Sequence, residues 1–133
     1  MLTNIYNQIS KIFTSEGFSS SYVYLNNKHE NRLNTRFATI DVLSDKVVGK
    51  AVSSDGDVFN EYELEVKINM YFKPSESINT VESFSDTILQ RFYQSTDINI
   101  TNICTKTVCY SSIYKCYKSE IILKLSYLLE EVT

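Results

Sequence analysis

The 133-residue chain is long enough for one hydrophobic core and too short for two comfortable ones, so a single domain over residues 1–133 is expected. Hydrophobic residues at 43% and charged residues at 22% are ordinary globular proportions, which argues against an intrinsically disordered chain and against a membrane protein. A formal charge of -3 leaves no overall positive field, so direct nucleic-acid binding is not expected either.

No run of about 18 apolar residues offers a membrane span. The opening "MLTNIYNQISKIF" is broken by polar residues where a signal peptide needs a continuous apolar core. A cytoplasmic protein is therefore expected. Cys104, Cys109 and Cys116 have no C-x-x-C spacing and His29 is the single histidine, so no convincing zinc set exists. The cysteines are expected to be small, partly buried thiols in strands. One proline, Pro74, and three glycines imply few loops and long elements.

In chain order, Leu2, Ile5, Tyr6, Ile9, Ile12 and Phe13 fall at helical spacing, and Gly17 offers a stop. "SYVYL" predicts a first strand, and the polar "NNKHENRLNT" an exposed loop. "RFATIDVLS" predicts a second strand, apolar on both faces as inside a sheet. A hairpin of two further strands follows, with Asp55-Gly56 as a two-residue turn. That turn sets Ser53 opposite Val58, Ala51 opposite Asn60, Gly49 opposite Tyr62 and Val47 opposite Leu64. On the other face it pairs Lys50 with Glu61 and Lys46 with Glu65. A slip or bulge near Asp57 would flip these assignments.

After Pro74, "INTVESFSDTILQRFYQS" predicts a second helix with Asn79 as N-cap and Val81, Phe84, Ile88, Leu89 and Phe92 on one face. Two closing strands complete the chain. The second alternates through Ile121, Leu123, Leu125, Tyr127 and Leu129, with a helix from about Ile121 as the alternative. The expected class is α+β, a mostly antiparallel sheet with two helices packed on it, in the order α-β-β-β-β-α-β-β.

No catalytic signature emerges. His29 lacks a nucleophile turn, and the glycines are too scattered for a phosphate loop, so neither an enzyme nor a cofactor is expected. Glu61, Glu63 and Glu65 share a strand face that a hard cation would accept, but lysines opposite explain them as a solvated charged face, so no metal is expected. Lys28, His29, Arg32 and Arg36 cluster with Glu30 in what is expected to be a polar loop or interface arm. Ten tyrosines suit an interface or a sheet cap equally well. Tyr71, Tyr110, Tyr114 and Tyr117, at strand ends or turns, are the ones expected to stay exposed.

The hairpin is longer than one core requires. Fifteen residues from Val58 to Phe72 extend roughly 50 Å as a strand. A compact chain of this size has a diameter near 36 Å, taken from a radius of gyration of about 14 Å. A hairpin over about residues 46–72 is therefore expected to project and to be covered by another subunit. Lys50, Val58, Asn60, Glu61 and Tyr62 on it, with Lys28 and Arg32 in the polar loop, are the candidate interface residues.

The opening helix "LTNIYNQISKIF", the hairpin around "SSDGDVFNEYELEVKINMYF", and the helix "TVESFSDTILQRFYQS" followed by two strands resemble the tail-terminator, or tail-completion, proteins of tailed bacteriophages and related contractile particles. The resemblance implies a structural protein assembled in the bacterial cytoplasm and carried in the tail. It implies a ring, commonly hexameric, that caps the tail tube, stops its polymerisation and joins it to the head. The implied partners are other copies of the chain, the tube protein, and sheath or head–tail connector proteins. The alternative from the residues alone is a small cytoplasmic binding module or secretion chaperone acting by strand addition.

Overall fold

The computed structural model describes residues 2–17, 23–25, 36–95 and 99–130. The elements are α1 (Leu2–Ser15), β1 (Val23–Leu25), β2 (Phe37–Val52), β3 (Val58–Tyr71), α2 (Ile78–Gln94), β4 (Ile100–Ser111) and β5 (Cys116–Glu130). They form a five-stranded sheet in the order β1-β2-β3-β5-β4. β1 runs parallel to β2, and every other pairing is antiparallel. This is the expected α+β class.

One strand fewer precedes α2 than expected. "RFATIDVLS" and the first strand of the hairpin are a single 16-residue strand, β2. The polar Ser44-Asp45 pair does not end the strand, because a bulge between Val42 and Ser44 absorbs one residue and the ladder with β3 resumes.

Both helices lie on one face of the sheet. Ile9 and Phe13 of α1 and Val81, Ile88 and Phe92 of α2 pack with Ile40, Val66, Ile68, Met70, Ile121 and Leu123 into the main core. Phe13 meets Phe92 edge-on, with ring centroids 6.2 Å apart. The N-cap of α2 is Ser77 rather than Asn79, and its side chain accepts a hydrogen bond from the Thr80 amide at 3.3 Å. The cap two residues earlier starts the helix at Ile78 and leaves Asn79 exposed on its first turn. β5 is a strand throughout. Its helix-forming lysine and leucines are overruled because β3 and β4 pair with it on both sides, burying Ile121, Leu123 and Leu125.

The opposite face holds a second cluster of Phe37, Tyr71 and Cys116, with Tyr114 packed against it. Phe37 stacks on Tyr71 at 4.5 Å, and Tyr114 meets both rings edge-on at 5.4 and 5.0 Å. Tyr71 is thus buried rather than exposed, and desolvation, reinforced by Tyr114, pushes its phenol up to about 12. Cys116 is buried and Cys109 half-buried, and both are free thiols. The side chain of Cys104 lies outside the described residues.

Arg36 locks the start of β2 to the β3–α2 connection. Its guanidinium sits over the rings of Phe72 and Phe84, 5.3 and 4.8 Å from their centroids, and bonds the Glu76 carboxylate. Glu76 also accepts from the Lys73 amide at 2.8 Å. Burial opposes its ionisation, but the Arg36 and Lys73 hydrogen bonds and charges outweigh burial and hold its carboxyl below the ordinary 4.5.

Two predictions follow from this packing. Ile68→Ala, at a fully buried site, should cost about 2–5 kcal/mol in urea unfolding, whereas Gln90→Ala on the exposed face of α2 should stay within about 0.5 kcal/mol. Because Glu76 has a lower pKa folded than unfolded, its contribution is present above pH 4.5 and is lost as pH falls through the folded value. Glu76→Gln should therefore lower stability near neutrality and flatten its decline on acidification, measured as melting temperature against pH.

Candidate functional site

Burial changes along the long strands from one end to the other. On the helix-side face of β3, Phe72, Met70, Ile68, Val66 and Leu64 are buried, while Tyr62, Asn60 and Val58 are only half-buried. The cause is a difference in rise. The 17 residues of α2 extend about 25 Å, whereas the 14 of β3 extend about 46 Å. β4 ends its pairing with β5 at Leu125, so beyond that level only β2, β3 and β5 continue. They form a three-stranded arm.

The arm's tip closes differently from the expected two-residue turn. Val52 pairs with Val58, and the loop between Ser53 and Asp57 has three residues. The Gly56 amide donates to the Ser53 carbonyl at 3.0 Å, the Ser53 amide to the Asp57 carbonyl at 2.9 Å, and the Asp57 amide to Ser53 Oγ at 3.1 Å. Gly56, at φ 89°, supplies the left-handed residue that this hairpin class needs.

The expected register near the tip is therefore off by one. Ala51 faces Phe59 rather than Asn60, Lys50 faces Asn60 rather than Glu61, and Gly49 faces Glu61 rather than Tyr62. Ser53 lies in the loop margin and not opposite Val58. A bulge between Val47 and Gly49 then restores the faces, setting Val47 opposite Tyr62 and Lys46 opposite Glu63 in place of Leu64 and Glu65. Tyr62 does not cover the gap at Gly49. A Cβ there would meet Glu61 Oε2 at 3.4 Å.

This geometry sorts the candidate interface residues. Lys50, Val58, Asn60 and Tyr62 share the helix-side face of the arm, and Glu61 lies on the reverse. Lys28 and Arg32, with His29, lie outside the described residues. The most exposed apolar residues on the helix-side face are Val52 at 67%, Val47 at 53% and Leu129 at 37%, none of them singled out from sequence. Val47 and Leu129 were visible as apolar positions in alternation. Their exposure depends on where the helices stop.

A polar staple crosses the arm. Tyr62 and Tyr127 stack with ring centroids 5.1 Å apart, and the Tyr127 hydroxyl donates to Asp45 Oδ1 at 2.8 Å. β2, β3 and β5 are thereby joined through one pair of rings and one carboxylate. Burial raises the Tyr127 phenol first, and the Asp45 hydrogen bond and charge raise it further. On the reverse face Glu63 lies between Lys46 at 3.8 Å and Lys124 at 3.9 Å, and Glu61 accepts from Ser126 Oγ at 3.4 Å. Glu63 is thus paired with lysines of both neighbouring strands.

The arm has two edges, and among the described residues β5 has no strand on its outer side beyond Ser126. Among the described residues β1 covers β2 only at Ala38–Ile40, so the outer edge of β2 beyond Ile40 is open. Both bulges of the β2–β3 ladder lie along that edge, and Lys46 and Lys50 stand on it, features that blunt pairing with another strand. No protein-family model matches the chain, and no curated protein does.

Removing the staple should be measurable. Tyr127→Phe should lose about 0.5–1.5 kcal/mol in denaturant unfolding. In ultraviolet phenolate titration, Asp45→Asn should let Tyr127 ionise at lower pH than in the parent, since the neighbouring negative charge is gone.

Proposed function

We propose that the protein is a structural assembly protein that acts through its surfaces, forming a homo-oligomeric ring of the kind that ends a tail tube. The observation that carries this reading is the arm: three paired strands beyond the helical layer, with Val47, Val52 and Leu129 exposed on the face that continues the core. Exposed apolar residues gathered on one face of a defined projection, with Lys50 and Asn60 set among them, call for a covering partner. In a cyclic assembly every copy supplies the same cover to the next.

In the function proposed, one rim of the ring complements the last layer of a tube protein and stops further addition, and the other rim joins sheath or head–tail connector proteins. Strand addition to a peptide is the weaker reading, because the β2 edge of the arm is bulged and lysine-bearing and its β5 edge is free of β4 only beyond Ser126, while its face carries exposed apolar residues.

Light scattering coupled to size exclusion tests the oligomer directly. The expected outcome is a discrete species several-fold heavier than 15.4 kDa, with a ring outline in negative-stain images. Replacing residues 50–60 by an Asn-Gly turn joins Gly49 to its partner Glu61, and should give a folded monomer with unchanged circular dichroism per residue. A parent protein that remains monomeric at high concentration overturns the proposal. Tube activity has its own readout: added ring should shorten the polymers formed by the tube protein of the same particle, and unchanged polymer length removes the terminator role.

A further inference from the structure

A second exposed apolar patch lies at the end of the sheet opposite the arm. Ser111 pairs with Cys116, and the connecting turn at 112–115 stands beside the Phe37–Tyr71 end of the sheet. The Tyr114 ring folds inward against Phe37 and Tyr71, and its amide donates to Ser111 Oγ at 3.3 Å. Its neighbour Ile113 is 84% exposed, and Tyr110, edge-on to Tyr117, is 57% exposed. Lys115 holds φ at 53°, where glycine would be less strained, so the turn presents a lysine at some backbone cost.

The charges of the two ends are complementary. On the arm, Asp45, Asp55, Asp57, Glu61 and Glu63 outnumber Lys46 and Lys50. At the opposite end Lys73 and Lys115 are exposed, Lys118 lies close by and is paired with Glu120 at 3.9 Å, and Glu76 of the β3–α2 connection is held by Arg36. An acidic arm with an apolar face and a basic end with an apolar turn are matched in both respects.

We infer that the arm of one protomer docks on the 112–115 turn of the next, so that Val47, Val52 and Leu129 cover Ile113 and Tyr110, and Asp55 and Asp57 approach Lys73 and Lys115. This deepens the ring reading and rests on it. Two different surfaces at opposite ends make the contact heterologous, which closes into rings or runs on as filaments. A reciprocal dimer using both contacts at once is blocked, because Tyr110 and the arm's apolar face lie on the side of the sheet that carries the helices, which would collide between two facing sheets.

Complementation of two crippled variants tests the contact. An arm variant, Val47→Asp with Val52→Asp, keeps its turn. A turn variant, Ile113→Asp with Lys115→Glu, keeps its arm. Each alone should be monomeric, and an equimolar mixture should stop at a 1:1 heterodimer of about twice 15.4 kDa, because only one productive contact is possible. The parent should form a species larger than a dimer under the same conditions. A turn variant that assembles like the parent overturns the inference while leaving arm-driven assembly standing. Variants that are both monomeric yet do not combine also overturn it, as does a dimeric parent. A monomeric parent removes the ring reading itself.

Discussion

The structure depends on a mismatch in rise between its two kinds of element. A helical residue advances about 1.5 Å and a strand residue about 3.3 Å, so helices of 14 and 17 residues cannot roof strands of 14, 15 and 16. The chain responds by concentrating its helices at one end. Ser77 caps α2 next to Phe72, the helix runs back over the sheet, and β4 joins at Leu125, near where the arm begins. Core and arm are therefore two consequences of one length difference: Leu64 is buried and Tyr62, two residues along the same face, is not.

The face without helices is stabilised by other means. Along the middle of the sheet, glutamates and lysines alternate between neighbouring strands, as in Lys67–Glu120 at 3.5 Å and Glu63 between Lys46 and Lys124. Such partly exposed pairs contribute little individually, but they keep a broad sheet face solvated and discourage stacking on another sheet. At the Phe72 end the solution is aromatic, with Tyr114 closing over Phe37 and Tyr71. The inward turn of Tyr114 also sets the place of its neighbour: with one side chain of the tight 112–115 turn committed to the cluster, Ile113 is left outside. The buried aromatic cap and the exposed patch arise from the same turn.

Periodicity made much of this legible in the sequence. The buried face of β3, the strand nature of β5 and the core stripe of α2 each follow from a spacing of two or of three and four. What local pattern did not encode was contact between distant segments. Tyr71 is buried only because Phe37 and Tyr114 meet it, and Asp45 bonds Tyr127 across 82 residues of chain. The turn failed for a different reason. Asp-Gly suits a two-residue hairpin, but Ser53 and Asp57 close a pair of their own through the Ser53 hydroxyl, lengthening the loop by one. That single residue moved Lys50 to the apolar face, and the bulge before Gly49 kept the error from spreading to Val47 and Lys46.

The placement of the bulges bears on how such an arm could serve an assembly. The β3–β5 ladder runs from Phe59 to Tyr71 without a register shift, so the inner rail of the arm is continuous with the core. Irregularities of the β2–β3 ladder are confined to β2, which forms one edge of the arm. A continuous rail transmits the orientation of the core to the tip, and closing a ring requires each copy to hold the next at a constant angle. The bulges blunt the β2 edge against open-ended strand pairing, which would join copies at any register and polymerise without limit, and the β5 edge is open for only a few residues. In the ring proposed, docking by a face with fixed geometry rather than by an edge without one is what would separate a closed assembly from an aggregate.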